Sequence, residues 1–272
     1  MLWVNVRPMS SSVEIPARTR VTVREVIGEI FITVGVILLL FAFYEAFWTN
    51  LTSGEMQKEA QQQLDDEWRN PRGNHIAEMG EAFAQLHIPV FGADYHYAVL
   101  EGTDDETLLA GPGHYSDSQM PDEAGNFALA GHRVGKGAPF NDLGHLKACD
   151  AIVVETQTQW FTYRVLPMEE GKEGRTAASS SCLSEPMLTE VAEGRYAHVL
   201  GRHITLPSDT SVLAPVPGAE GASAKGLGRM ITLTTCHPQF SNAERMIIHA
   251  VQTDARDKSA GPPPAMTSGK DA

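Results

Sequence analysis

The chain has 272 residues and a formal net charge of −13 at pH 7. That length suits one sizeable domain with appendages. The acidity argues against a nucleic-acid partner, because phosphate binding needs clustered Lys and Arg, and three cysteines are too few for a disulfide framework.

The first element is apolar. Ile30 to Tyr44 carries no polar face and lies between Glu29 and Glu45. Its fifteen residues, at ~1.5 Å each, reach only about 22 Å, short of a ~30 Å hydrocarbon core. Extending the run to residues 26–48 makes it long enough and puts Trp48 in the aromatic belt. No Ala-x-Ala cleavage site follows, and a helix buried in a soluble core would be expected to show a polar stripe. Arg7, Arg18, Arg20 and Arg24 precede the span, so residues 1–25 read as a cytoplasmic arm. The chain after residue 50 then lies outside the plasma membrane, held by a single-pass signal anchor.

In the segment 49–78, Met56, Ala60, Leu64 and Trp68 recur every four residues. This thin stripe suits a stalk or a helix laid on the domain, and a partly ordered linker is an equal alternative. Asn70-Pro-Arg-Gly73 ends it. Strands are then predicted over Ala82–Val90, Tyr95–Leu100 and Asn126–Ala130, with turn-rich loops at 111–115 and 120–125. Ala151–Thr156 and Trp160–Val165 read as a hairpin. The stretch 169–181 is small, polar and low in complexity, hence a mobile loop, with a short helix possible over Pro186–Tyr196. Strand resumes over Val199–Leu206, and 218–226 reads as another flexible loop. Met230–Cys236 is a strand that Pro238 stops. Arg245–Val251 is the next, and the tail after Asp254 reads as disordered. Many short strands with little helix predict an all-β barrel or sandwich.

If the last two strands pair as a hairpin, Cys236 and Arg245 share one end of the sheet, a thiol beside a permanent cation. Free Cys is more often a small buried hydrophobe. A nucleophilic thiol needs a partner, commonly an imidazole, and ten histidines compete. His237 is directed to the opposite face of the strand from its neighbour. His132, ending an apolar strand before a loop with Gly135 and Gly137, is one candidate, and residue type alone leaves the choice open.

Leu233-Thr-Thr-Cys-His-Pro238 resembles the nucleophile motif of sortases, the cysteine transpeptidases of Gram-positive cell surfaces. The form Thr232-Leu-Thr-Thr-Cys236 is most similar to class E. Ala130-Gly-His-Arg-Val-Gly-Lys-Gly-Ala-Pro-Phe140 resembles the stretch that carries the class E histidine, and Arg245 falls where the family has its arginine. The resemblance covers roughly residues 80–254. It implies a mainly β fold, a sortase-type eight-stranded β-barrel with short helices over 79–254, on one N-terminal transmembrane helix. It also implies that Cys236 attacks the Thr–Gly carbonyl of a Leu-Ala-X-Thr-Gly or Leu-Pro-X-Thr-Gly signal. His132 protonates the leaving amine and Arg245 holds the signal and stabilises the oxyanion. Thr234, Thr235 and Arg133 would line the substrate pocket. No cofactor and no metal are called for. The implied partners are secreted proteins bearing a C-terminal sorting signal and a peptidoglycan precursor of the lipid II type that supplies the amine. A peptidoglycan hydrolase, a pilin-polymerising sortase and a non-catalytic surface module are the alternatives.

Two departures stand out. The family has Pro-Gly-Asp where this chain has Ala148-Cys-Asp150, and residues 166–199 are longer than expected. In sortases that connection lines the groove, so an extension there, carrying Glu169, Glu170 and Glu173, is expected to reshape it; an inert excursion is the alternative. Cys149 and Cys182 both fall in the extracellular part, where a disulfide can persist and would pin this loop. Two unrelated thiols are the alternative.

Overall fold

The computed structural model describes residues 22–44, 48–70, 76–219, 221 and 223–267. Two compact units separate after Phe43. The first contains helix α1 (Val23–Phe43), 21 residues with none of them buried, about 31 Å long at the helical rise. It is long and apolar enough to cross a membrane. It starts and stops earlier than the 26–48 expected. Trp48 is at the N-cap of helix α2 (Thr49–Arg69). Arg7, Arg18 and Arg20 lie outside the described residues.

In the second unit, the stripe on α2 seats on the domain. Ala60 and Leu64 are buried among Ala82, Ala98, Leu100 and Ala110, with Met56 and Trp68 packed beside them. Full burial of a Leu side chain is worth about 1.5–3 kcal/mol. Polar side chains add direction to that packing. Gln57 accepts from the Ala98 N–H at 2.7 Å and donates to the Ala110 carbonyl at 2.6 Å.

The barrel strands are β1 (Ala82–His87), β2 (His96–Glu101), β3 (Gly113–His114), β4 (Gly125–Ala130), β5 (Ala151–Glu155), β6 (Gln159–Val165), β8 (Arg229–His237) and β9 (Glu244–Asp257). They run in the order β6-β5-β1-β2-β3-β4-β8-β9, and a β6–β9 pairing closes the ring of eight. A ninth strand, β7 (Arg202–Thr205), adds to the first half of β9. A short helix α3 (Asp105–Ala110) leads into β3 and is capped by the Asp104 carboxylate, which accepts from the N–H groups of Glu106 and Thr107. Alternation sorts the faces. Phe127 and Leu129 of β4, Ile231 and Leu233 of β8, and Met246, Ile248 and Ala250 of β9 fill the interior. Asn126, Ala128 and Ala130, then Met230, Thr232, Thr234 and Cys236, then Arg245, Ile247, His249 and Val251 therefore form the outer face.

Four sequence expectations change. Pro89 cannot extend a ladder, so β1 stops at His87 and Pro89–Phe91 makes a 3-10 turn. The predicted loop 111–115 contains β3, which bridges β2 and β4. The predicted mobile loop 169–181 holds helix α4 (Lys172–Ser179), followed by α5 (Met187–Ala192). The cause is Arg175, only 1% exposed. Its guanidinium donates to the carbonyls of Val191, Val199, Tyr196 and Glu169 at 2.8, 2.9, 3.1 and 3.3 Å. A disulfide between Cys149 and Cys182, S–S 2.03 Å, ties the segment to the start of β5. Lastly, the tail predicted as disordered continues β9 to Asp257. Lys258 then lies 3.5 Å over the Trp68 ring and 2.7 Å from the Glu155 carboxylate, and helix α6 (Pro264–Thr267) follows.

Cys149 has φ 71°, the left-handed region that costs a side-chain-bearing residue about 1–2 kcal/mol. This is the position where the family pattern has glycine. The departure seen in the sequence thus keeps the backbone turn and uses the side chain to reach Cys182.

Candidate active site

Register brings three residues to one place. The parallel β4–β8 pairing runs from Gly125↔Arg229 to Ala130↔Thr234, and carrying it two residues further sets His132 level with Cys236. In the antiparallel β8–β9 pairing, Cys236 lies directly opposite Arg245. Cys236 and Arg245 fall on the outer face by alternation, and all three positions lie at one end of the barrel. Thr205 of β7 in turn pairs with Arg245, so β7 forms the wall beside the arginine.

The Cys236 side chain is half-buried and its thiol is free. The thiol donates to Oδ1 of Asn242 at 3.4 Å, and Nη1 of Arg245 donates to the same oxygen at 2.6 Å. His132 Nε2 is buried without a hydrogen-bond partner. Burial first, and then the Lys136 ammonium, hold its imidazole below the ordinary histidine range, with Asp105 opposing them. A neutral ring with an unengaged nitrogen can take up or deliver a proton.

The loop after His132 is braced from α2. Asn50 Oδ1 accepts from the Gly137 N–H at 3.1 Å. Gly137 has φ +75°, and a Cβ there would lie 2.8 Å from the Ser53 hydroxyl. Glycine is required at this position both by conformation and by the approach of α2. Phe140 N–H closes the loop on the His132 carbonyl at 2.9 Å.

The three expected pocket residues make contacts within the framework. Thr235 is buried and donates to the Gly131 carbonyl at 2.8 Å, joining β8 to the strand end that carries His132. Thr234 shares a 2.9 Å hydrogen bond with the Tyr115 hydroxyl. Arg133 donates from Nη1 to the Cys236 carbonyl at 3.3 Å and to His237 Nδ1 at 2.7 Å. Because a guanidinium only donates, His237 carries its proton on Nε2. Further down the same face, Thr232 bridges Asn126 and His249. Burial pushes the His249 imidazole down to about 3, so this tie is neutral.

The long 166–199 segment is anchored upstream of Cys236. Its apolar side chains Leu183, Val191, Tyr196 and Val199 pack on Met230 and Val251. Met230 lies six residues upstream of Cys236 on β8, roughly 20 Å at the strand rise. β7 and the chain after it stand beside the site. Sequence reasoning missed Asn242, Tyr115 and the α2 brace. An Asn in a turn-forming loop is ordinary, and the other two act through long-range contacts that leave no local pattern. Among the described residues, no cluster of His, Cys, Asp or Glu could hold a metal.

The family of sortase domains matches residues 86–253. Sortase SrtE1 of Streptomyces coelicolor is 38% identical over 250 residues, covering 89% of this chain and 60% of that protein. Sortase SrtE2 of the same organism is 28% identical, covering 91% and 90%. The chain thus spans about 60% of the length of the first of these relatives. Among solved structures, the SrtF sortase of Corynebacterium diphtheriae is 51% identical with TM-score 0.69, covering 72% of this chain and 97% of that one. Sortase E1 of S. coelicolor, solved with a tripeptide in its active site, is 34% identical with TM-score 0.51, covering 70% and 99%.

Proposed function

The chain belongs to the sortase family, in class E, and we propose that it is a membrane-anchored cysteine transpeptidase. The observation that carries this reading is the register: a thiol and a guanidinium directly opposite one another on β8 and β9, with an imidazole two residues past the end of β4, the strand on the other side of β8. Cys236 gives its proton to His132, and the thiolate attacks the Thr–Gly carbonyl carbon of a sorting signal. Arg245 holds the oxygen as negative charge develops on it. His132 delivers its proton to the departing glycine amine, leaving a Cys236 thioester. An incoming amine, from a peptidoglycan precursor, loses a proton to His132 and displaces the thiol. Arg133 holds the Cys236 peptide throughout. The substrates are secreted proteins with a Leu-Ala-X-Thr-Gly or Leu-Pro-X-Thr-Gly signal. The tripeptide in the active site of Sortase E1 supports a peptide lying along this face.

The test is to incubate the full chain in detergent with a sorting-signal peptide and a short amine acceptor. Ligated product is expected, and none from Cys236→Ala. His132→Ala and Arg245→Ala should each lose about two or more orders of magnitude in turnover. Cleavage without ligation at saturating amine would favour a hydrolase. Normal turnover by Cys236→Ala would defeat the mechanism.

Helix α1 supports attachment to the membrane, and the arginines before it support a cytoplasmic N-terminus. Protease added to intact spheroplasts should remove the domain while sparing the N-terminal arm. A mature N-terminus near residue 50 would mean cleavage and overturn the anchor.

A further inference from the structure

The loop that joins β8 to β9 turns back over the Cys236–Arg245 pair. Its shape is fixed within itself: Ser241 N–H donates to the Pro238 carbonyl at 3.1 Å, and Ala243 N–H to the Ser241 hydroxyl at 3.2 Å. The turn delivers the Asn242 side chain to the centre of the site. There one oxygen, Asn242 Oδ1, receives both the Cys236 thiol and the Arg245 guanidinium. An amide oxygen has two lone pairs, so its accepting capacity is filled by the two groups that the reaction needs.

A carboxamide oxygen is chemically the same acceptor as the carbonyl oxygen of a scissile peptide bond. In the reaction that oxygen must lie beside the sulfur and, as it becomes an oxyanion, on the arginine. We propose that Asn242 is a resident surrogate for the substrate carbonyl: a latch that holds the thiol in a hydrogen bond and keeps Arg245 occupied until a peptide displaces it. The thiol meets the oxygen of the carboxamide, so the contact stores a hydrogen bond and leads to no bond exchange. Arg245 is further steadied by the Glu244 carbonyl at 3.1 Å, which keeps its guanidinium at the site when Asn242 leaves. The half-buried thiol is thereby shielded from electrophiles while no peptide is bound. This inference deepens the transpeptidase reading and rests on it for the identity of the displacing group.

The experiment reads the thiol directly, without peptide. The full chain in detergent is alkylated with iodoacetamide at neutral pH, comparing wild type with Asn242→Ala and Asn242→Asp. Asn242 is exposed and lies in a loop, so both variants should fold. The Ala variant should alkylate about threefold to tenfold faster, the scale of one released hydrogen bond. The Asp variant should alkylate more slowly than wild type, because its carboxylate keeps Arg245 and repels a thiolate. In ligation assays, KM for the sorting peptide should fall for the Ala variant, since no surrogate competes. An Ala variant that alkylates at or below the wild-type rate overturns the latch, and so does one whose KM is unchanged. If wild type ligates no peptide, the transpeptidase reading fails, while alkylation still decides whether Asn242 restrains the thiol.

Discussion

Cys236 and Arg245 were readable from the chain because a hairpin sets both positions: strands stopped by Pro238 and restarted at Arg245 must bring their ends together. His132 was not readable in that way. Its partner strand β8 lies 104 residues away, and only the wording of its loop distinguished it from nine other histidines. Asn242 was illegible because its role depends on where a six-residue loop returns. The electrostatics of His132 carry a testable consequence. Burial and then Lys136 disfavour the imidazolium, so His132 meets the substrate neutral, able to take the Cys236 proton. The acid limb of the kcat/KM profile reports protonation of this base in the free enzyme. Lys136→Gln removes one of the two depressing influences, so His132 should take up its proton at higher pH and the limb should move to higher pH. A limb that stays in place, or moves down, would show that another group titrates there.

At the scale of elements, strands were legible and the 166–199 insertion was not. Gly, Ser and Ala give weak local preference, and what orders the segment is a single buried Arg175 collecting four carbonyls from residues 169 to 199. A side chain that is read as solvent-exposed by type becomes the hub of the element. The disulfide reinforces it by closing a loop of sequence separation 33, which in the chain-entropy picture is worth about 3–4 kcal/mol. Because the segment packs on Met230 and Val251, its contribution should be to stability and not to peptide choice. Replacing Cys149 and Cys182 together by Ser should lower the midpoint of urea unfolding, and excising 169–183 should lower it further. Neither change should alter the ranking of a panel of sorting peptides. A reordered panel would show that the insertion reaches the groove after all.

For the whole molecule, the sequence indicated an anchor and a barrel joined by a segment that reads as a stalk, a linker or a helix laid on the domain, and the structure shows the last of these. The stripe on α2 has the same spacing whether the helix stands free or lies on a domain, so periodicity alone could not choose. Burial chooses: Leu64 is fully enclosed and Ala60 is 7% exposed. The folded unit therefore includes α2, and Lys258 over the Trp68 ring locks the β9 extension against that helix. The same helix reaches the chemistry, since Asn50 and Ser53 meet the Gly137 turn that follows His132. Removing α2 should thus do two things that removing a stalk would not. A chain starting at residue 71 exposes Ala82, Ala98, Leu100 and Ala110 to water, and leaves the Ala98 N–H and Ala110 carbonyl without Gln57. Loss of one buried Leu alone costs about 2–5 kcal/mol, so its thermal midpoint should fall steeply. Turnover should fall as well at temperatures where the protein is still folded, because the His132 loop loses its brace. A chain starting at Tyr44 keeps every one of these contacts and should match the full-length protein in both measurements. Equal melting and turnover for the two truncated chains would mean that α2 is a tether, with its packing incidental to fold and catalysis.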